Sequence, residues 1–194
     1  MALRLHLLLV TLLGAATLML APAAAARGGS YVVDGGTAAE RSQVADALSA
    51  STFDWGLVPV QVKIHVARGI NSHAQAGEIW LDANLLDSGR FAWGVVQHEY
   101  AHQVDFFLLD DQMRAQLSAA LGAKTWCSEG DDYPHAGQGC ERFASTLAWA
   151  YWQNPNNCLK PQSKRDEAGG MPPASFRALV SRVLGVRSLR SARP

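Results

Sequence analysis

Residues Val95–Val104 read VVQHEYAHQV, and they lie inside a longer apolar stretch, 91–109, that predicts one buried helix. On such a helix His98 and His102 are about one turn apart and share a face. Burying two imidazoles and the Glu99 carboxylate without a partner is costly, and a metal ion offsets that cost by coordinating the histidines. The stretch therefore predicts a metal site on a buried helix.

The pattern His98–Glu99–Tyr100–Ala101–His102 is an HExxH motif, which supplies two ligands and one base from a single helix. Two imidazole nitrogens at this spacing reach one Zn²⁺ at about 2.0–2.1 Å each. Glu99 lies on the adjoining face, where it can take a proton from a zinc-bound water and pass it to a leaving amine. We therefore expect His98 and His102 as zinc ligands and Glu99 as the catalytic base.

A catalytic zinc normally has a third protein ligand and an open position for water. The extended motif HExxHxxGxxH is excluded, because Asp105 and Leu108 stand where it needs Gly and His. Asp105 lies about 10 Å along the axis from His98, a better distance for a hydrogen bond to a ligand imidazole. Glu141 is the stronger candidate, since it begins a predicted helix whose facing positions are small residues. The weaker candidates lie in the preceding loop: Glu129, Asp131 and Asp132.

The HEYAH motif, together with Glu141–Ala144 (ERFA), resembles the gluzincin metallopeptidases, in which a Glu from a later helix completes the zinc site. Residues 94–105 resemble more closely a group of small secreted bacterial proteins with a zincin-like core, and the likeness covers 31–161. The resemblance implies a zinc peptidase fold acting on a peptide or protein substrate. Thermolysin-type gluzincins carry an Asp four residues after the Glu ligand. Ser145 stands there, and Asp105 is expected to take that role.

The same resemblance implies that the strand 77–82 is an edge strand, which binds an extended peptide by main-chain hydrogen bonds. Hydrolysis also needs a donor that stabilises the oxyanion. The candidates are Tyr133, His135 and Tyr151, of which the first two are favoured because they lie on the Gly-rich loop before Glu141. Two alternatives keep the metal: a zinc-stabilised binding module without catalysis, and a zinc hydrolase acting on a non-peptide amide such as a cell-wall cross-link.

The N-terminus predicts export. Residues 1–26 combine a basic start, an apolar run from Leu5 to Leu20 and the small-residue site Ala24–Ala26, which is typical of a cleaved signal peptide. An uncleaved membrane anchor is the alternative, and after cleavage we expect no stable membrane insertion. The remaining 168 residues, 27–194, are nearly neutral, which argues against a nucleic-acid-binding protein, and they end in a basic, arginine-rich tail.

Three cysteines follow this predicted signal, so an oxidising compartment favours one disulfide and leaves one thiol. Cys127–Cys140 is the preferred pair, because it closes a loop of polar and Gly residues just before Glu141; Cys127–Cys158 is the alternative. A cysteine-based zinc site is less attractive, because the sequence has no CxxC spacing.

The periodicity of the chain predicts an α+β fold, zincin-like, with a small antiparallel or mixed sheet, the HExxH helix and further C-terminal helices in one domain, 27–194. Strands are predicted at 57–67 and 77–82. Helices are predicted at 37–51, 91–109, 111–121, 140–152 and 174–184.

Overall fold

The computed structural model describes residues 28–127 and 134–185. The predicted signal peptide 1–26, the candidate donor Tyr133, the three loop acids and the last part of the basic tail lie outside the described residues. In the described part of the chain the fold is α+β, with one mixed four-stranded sheet and six α-helices. No helix within these ranges is long and apolar enough to cross a membrane.

The strands are short and lie in the first half of the chain: β1 Tyr31–Gly35, β2 Val62–Ala67, β3 His73–Gln75 and β4 Glu78–Asp82. One helix lies between β1 and β2, and the other five follow the last strand: α1 Ala38–Ala50, α2 Ala83–Leu86, α3 Trp93–Leu108, α4 Asp111–Leu121, α5 Gly139–Tyr151 and α6 Pro173–Val183. Short 3₁₀ turns lie at Trp55–Leu57, Gly89–Phe91, His135–Gly137 and Glu167–Gly169.

The sheet has the order β1-β2-β4-β3, and it is mixed. Strands β1, β2 and β4 are parallel, and β3 alone runs antiparallel, next to β4. The antiparallel form of the prediction is therefore wrong and the mixed form is confirmed. The reason is the connection between β1 and β2: α1 carries the chain back across the sheet, which makes the two strands parallel.

The predicted strand 57–67 is shorter than expected. Its first residue, Leu57, ends the 3₁₀ turn Trp55–Leu57, and residues 58–61 are loop. The Asp54 carboxylate caps this turn, since it accepts a hydrogen bond from the Gly56 N–H at 3.1 Å. From Val62 onward the chain is a strand in which alternate side chains, Val62, Ile64 and Val66, are buried. This half of the strand supplies the apolar face on which the helices pack.

The helices confirm the periodicity of the sequence to within a few residues. Helix α1 begins with a capping box, in which the Glu40 N–H donates to the Thr37 hydroxyl and the Thr37 N–H donates to the Glu40 carboxylate at 2.6 Å. Helix α3 is buried over most of its length, as its apolar character predicts. Its most extensive helical partner among the described elements is α5, where Ala144 and Ala148 are fully buried. This close packing of α3 and α5 positions the candidate site.

Candidate metal centre

Helix α3 presents both motif histidines into a narrow cleft of about 200 Å³. The imidazoles of His98 and His102 are buried, and their Nε2 atoms lie 3.1 Å apart. The rings meet nearly edge to face, with an interplanar angle of 84°. Two ring nitrogens that face each other this closely point at a common position in the cleft, as two ligands of one ion do.

Helix α5 brings Glu141 to the same position from the opposite wall. The Glu141 Oε2 atom lies 3.2 Å from His98 Nε2 and 3.6 Å from His102 Nε2. The residue stands in the first turn of α5, directly after Cys140, which forms the predicted disulfide with Cys127. Two backbone hydrogen bonds also hold this helix start, from the Gly139 N–H to the Thr125 carbonyl at 2.8 Å and from the Cys140 N–H to the Trp126 carbonyl at 2.9 Å.

The three donor atoms have the spacing that a tetrahedral zinc site requires. Ligands at about 2.0–2.1 Å from a tetrahedral ion lie about 3.3–3.4 Å from one another. The donor atoms of His98, His102 and Glu141 are separated by 3.1, 3.2 and 3.6 Å. Moreover, Glu141 Oε2 is buried and accepts no hydrogen bond from the described residues, although imidazole nitrogens surround it. An oxygen left in this state fits a metal ligand better than a member of a hydrogen-bonded network.

Glu99 lies beside these donors. One of its carboxylate oxygens and a nitrogen from each motif histidine all lie within 4.8 Å of one another. Burial raises the pKa of the Glu99 carboxyl above its ordinary value, and the imidazoles of His98 and His102 offset part of that effect. A carboxylate with a raised pKa is a better proton acceptor near neutral pH, which suits a general base.

In the metal-free chain the site holds a strongly coupled set of charges. Burial by itself lowers the pKa of His98, but the carboxylates of Glu141, Glu99 and Glu167 outweigh it and raise that pKa. Burial has the opposite effect on Glu141, and the imidazoles of His102 and His98 overcome it, so the pKa of this carboxyl is well below its ordinary value. Glu141 is therefore ionised at neutral pH, the form in which a carboxylate binds a metal.

Asp105 does not take the place that the sequence predicts for it. Both of its carboxylate oxygens are used elsewhere: Oδ1 accepts from Arg114 Nε at 2.8 Å and Oδ2 accepts from Trp126 Nε1 at 2.9 Å. It therefore fastens α3 to α4 and to the segment that leads to Cys127, and it contacts neither histidine through these oxygens. The bond to His98 comes instead from Ser145, whose Oγ lies 2.9 Å from His98 Nδ1 and donates to Glu167 at 2.7 Å.

Of the candidate oxyanion donors, His135 lies at the site. Its Nδ1 atom is 3.2 Å from Glu141 Oε2, and the side chain is 71 % exposed. Tyr133 lies outside the described residues. Tyr151 is ruled out, because it ends α5 about 15 Å from Glu141 along the helix axis and packs its ring against Phe53.

The edge strand beside the site is β3 and not the predicted 77–82. Strand β4 has a partner on both sides, whereas β3 pairs only with β4 in the described part of the sheet. The cleft wall includes Ser72, His73 and Ala74 at this edge. The side chain of Gln103 ties α3 to the β3–β4 hairpin, since it donates to the Gln75 carbonyl at 2.8 Å and accepts from the Gly77 N–H at 2.7 Å.

Two features of the site escape the sequence analysis. Strand β3 reads His-Ala-Gln, which has no alternating apolar pattern and takes its form from pairing with β4. Glu167 follows Asp166 in a short polar stretch before Gly and Pro residues, where an acid has no periodic signal. The available clue was Ser145, which stands where the resemblance calls for an acid and so asks for a carboxylate from elsewhere.

No protein-family description, no curated protein and no solved structure matches the chain.

Proposed function

We propose that this chain is an exported zinc-dependent hydrolase that cleaves peptide bonds. One observation supports the proposal above all: the donor atoms of His98, His102 and Glu141 converge from two helices, 3.1–3.6 Å apart, and the buried Glu141 oxygen among them accepts no hydrogen bond from the described residues. This is the donor set, His₂Glu, of catalytic zinc sites that keep a position open for water.

Bound zinc supplies a Lewis acid and lowers the pKa of a coordinated water towards 7. The proton transfers are carried out by a side chain of the protein. Glu99 takes a proton from the attacking water and returns it to the leaving amine. Its burial keeps bulk water from this carboxylate, and its distance from the histidines places it beside the donor set.

His135 is the proposed donor to the developing oxyanion. It projects from the loop before α5, is exposed to the cleft, and approaches both Glu141 at 3.2 Å and Glu167 at 3.5 Å. An imidazole N–H is a hydrogen-bond donor of the kind that stabilises an oxyanion.

A peptide is the proposed substrate because of β3. The outer edge of this strand is unpaired within the described residues and lies in the wall of the cleft that contains Glu99. An extended peptide can pair with a free edge by main-chain hydrogen bonds, which places its carbonyls along the cleft.

A second candidate function, a zinc-binding module without catalysis, is favoured by the same His135. If its Nδ1 atom, 3.2 Å from Glu141 Oε2, became a fourth ligand, the position for water would be closed. In this second function the chain still binds zinc but does not catalyse a reaction.

The proposal is tested with purified protein, its zinc content and a fluorogenic peptide library. We expect about one zinc per chain, hydrolysis that a chelator removes and zinc restores, and loss of both zinc and hydrolysis in His98→Ala and His102→Ala. Glu99→Gln is the matched variant: it should keep zinc and fold and lose at least about 100-fold in turnover. Full zinc occupancy in the histidine variants contradicts the site, and unchanged turnover in Glu99→Gln contradicts the mechanism.

A further inference from the structure

The two nitrogens of His98 face different partners. Its Nε2 atom is directed at the donor set, 3.1 Å from His102 Nε2. Its Nδ1 atom lies 2.9 Å from Ser145 Oγ, and this hydroxyl lies 2.7 Å from Glu167 Oε2. His98, Ser145 and Glu167 thus form a chain of two short hydrogen bonds that starts behind the site and ends at a carboxylate.

The direction of these hydrogen bonds follows from the chemistry of the last group. The Ser145 hydroxyl donates its hydrogen to Glu167 Oε2 at 2.7 Å, so it has no second hydrogen to give to His98. The hydroxyl oxygen then accepts from His98, which requires the hydrogen of a neutral imidazole to be on Nδ1. Nε2 is left with the lone pair that a metal needs. A serine without Glu167 would be free to donate to Nδ1 and so favour the wrong tautomer.

The loop and the 3₁₀ turn around Glu167 position its side chain next to Ser145. The Asp166 carboxylate accepts from the Gln162 and Ser163 N–H groups at 2.6 and 2.8 Å, which fixes the loop before the 3₁₀ turn. The turn is tight, since a Cβ on Gly169 would lie 1.9 Å from the Ser163 carbonyl oxygen. Thr146 on α5 donates to the Glu167 carbonyl at 3.4 Å.

The second oxygen of the Glu167 carboxylate reaches across to the loop side of the cleft. Oε1 lies 3.5 Å from His135 Nδ1, while Oε2 holds Ser145. One carboxylate therefore stands between a proposed ligand and the proposed oxyanion donor. One ligand atom each of Glu167, His98 and Glu141 lie within 4.8 Å of one another, so Glu167 is close to the donor set. Its two oxygens face Ser145 and His135, however, and its effect on the ion is therefore argued through Ser145.

We propose that Glu167 is a positioning residue, which acts through Ser145 to fix His98 in the metal-binding tautomer and orientation. This inference rests on the zinc site of the proposed function. Its rival is purely structural: the Ser145–Glu167 bond would only fasten the 3₁₀ turn to α5. The two roles predict different zinc affinities for a variant that loses a hydrogen bond to the 3₁₀ turn but keeps the contact between Ser145 and His98.

The experiment measures zinc affinity by competition with a chromogenic chelator, and thermal unfolding of the metal-free protein, for four variants. Glu167→Gln and Ser145→Ala should each weaken zinc binding by about 10–100-fold, as groups that orient a ligand do. Thr146→Val is the matched control, because it removes a hydrogen bond to the same turn. It should lower the unfolding temperature and leave zinc affinity unchanged.

The double variant Ser145→Asp/Glu167→Gln supplies the rescue. An aspartate at 145 can accept directly from His98 Nδ1, so zinc affinity should return to within a few-fold of the wild type. Equal zinc affinity in Glu167→Gln and the wild type overturns the positioning role and leaves the zinc site standing. A loss in Thr146→Val as large as that in Glu167→Gln, or no recovery in the double variant, also overturns it. A wild-type protein that binds no zinc overturns both this inference and the proposed function.

Discussion

The role of His135 differs between the two proposed functions, the zinc-dependent enzyme and the zinc-binding module. As an oxyanion donor it stabilises charge only during the reaction, whereas as a fourth ligand it holds the ion at rest. With the side chain 71 % exposed and Nδ1 3.2 Å from Glu141 Oε2, the residue is near the donor set but open to solvent. Exposure of this kind suits a group that must meet a substrate.

His135→Ala is therefore expected to leave zinc affinity unchanged and to lower kcat by about 10²–10³-fold, the size found when one oxyanion donor is removed. The measurements are zinc competition and steady-state kinetics on one cleavable peptide. A large loss of zinc affinity would instead make His135 a ligand and favour the binding module.

Glu141 and Asp105 form a natural pair of acids for a comparison. Glu141→Gln replaces a charged donor by a neutral amide and should weaken zinc binding by more than the roughly 10–100-fold typical of groups that only orient a ligand. Asp105→Asn should leave zinc affinity close to wild type, because its oxygens bind Arg114 and Trp126. It should lower the free energy of unfolding by about 1–3 kcal/mol, the cost of disrupting a buried hydrogen bond to a charged group. The reverse ranking of the two acids in zinc affinity would refute the assignment.

At the scale of elements, helices were predictable and the edges of the sheet were not. Helix α4 has the predicted bounds, because its periodicity, the Asp110 cap and the left-handed Gly122 are all local signals. The parallel pairing of β1 with β2 and the placement of β3 depend on contacts distant in sequence. A three-residue strand such as β3 has no pattern of its own to read.

The same distinction explains what was predictable at the site. His98, Glu99 and His102 share one helix, so their spacing carries the information. The approach of Glu141 was inferred from small residues on its helix, and the structure places it within 3.2 Å of His98 Nε2. Ser145 indicated that a carboxylate comes from elsewhere, but the sequence could not locate it, because Glu167 lies in a turn some twenty residues further along. Only tertiary folding brings that turn behind the ligand.

For the molecule as a whole, the disulfide connects the proposed export to the proposed metal site. Cys127–Cys140 closes a short loop just before Glu141, while Cys158 keeps a free, partly buried thiol. Such a bridge restricts the unfolded chain, and a loop of this size contributes about 3 kcal/mol to stability in the loop-entropy estimate. The disulfide contributes less to the geometry of the folded metal site, because the Gly139 and Cys140 N–H groups also hold the start of α5.

The double variant Cys127→Ser/Cys140→Ser is therefore expected to lose about 3 kcal/mol in free energy of unfolding, measured with urea on the metal-free protein. Its zinc affinity should fall less than that of Glu141→Gln, because the backbone hydrogen bonds of α5 remain. Cys158→Ser is the matched control: its thiol is unbridged, so it should keep the wild-type response to a reductant. If the double variant unfolds at the same urea concentration as the wild type, the bridge does not stabilise the fold. If it loses zinc as completely as Glu141→Gln, the disulfide and not the backbone positions the carboxylate, and reduction alone would then disable the site.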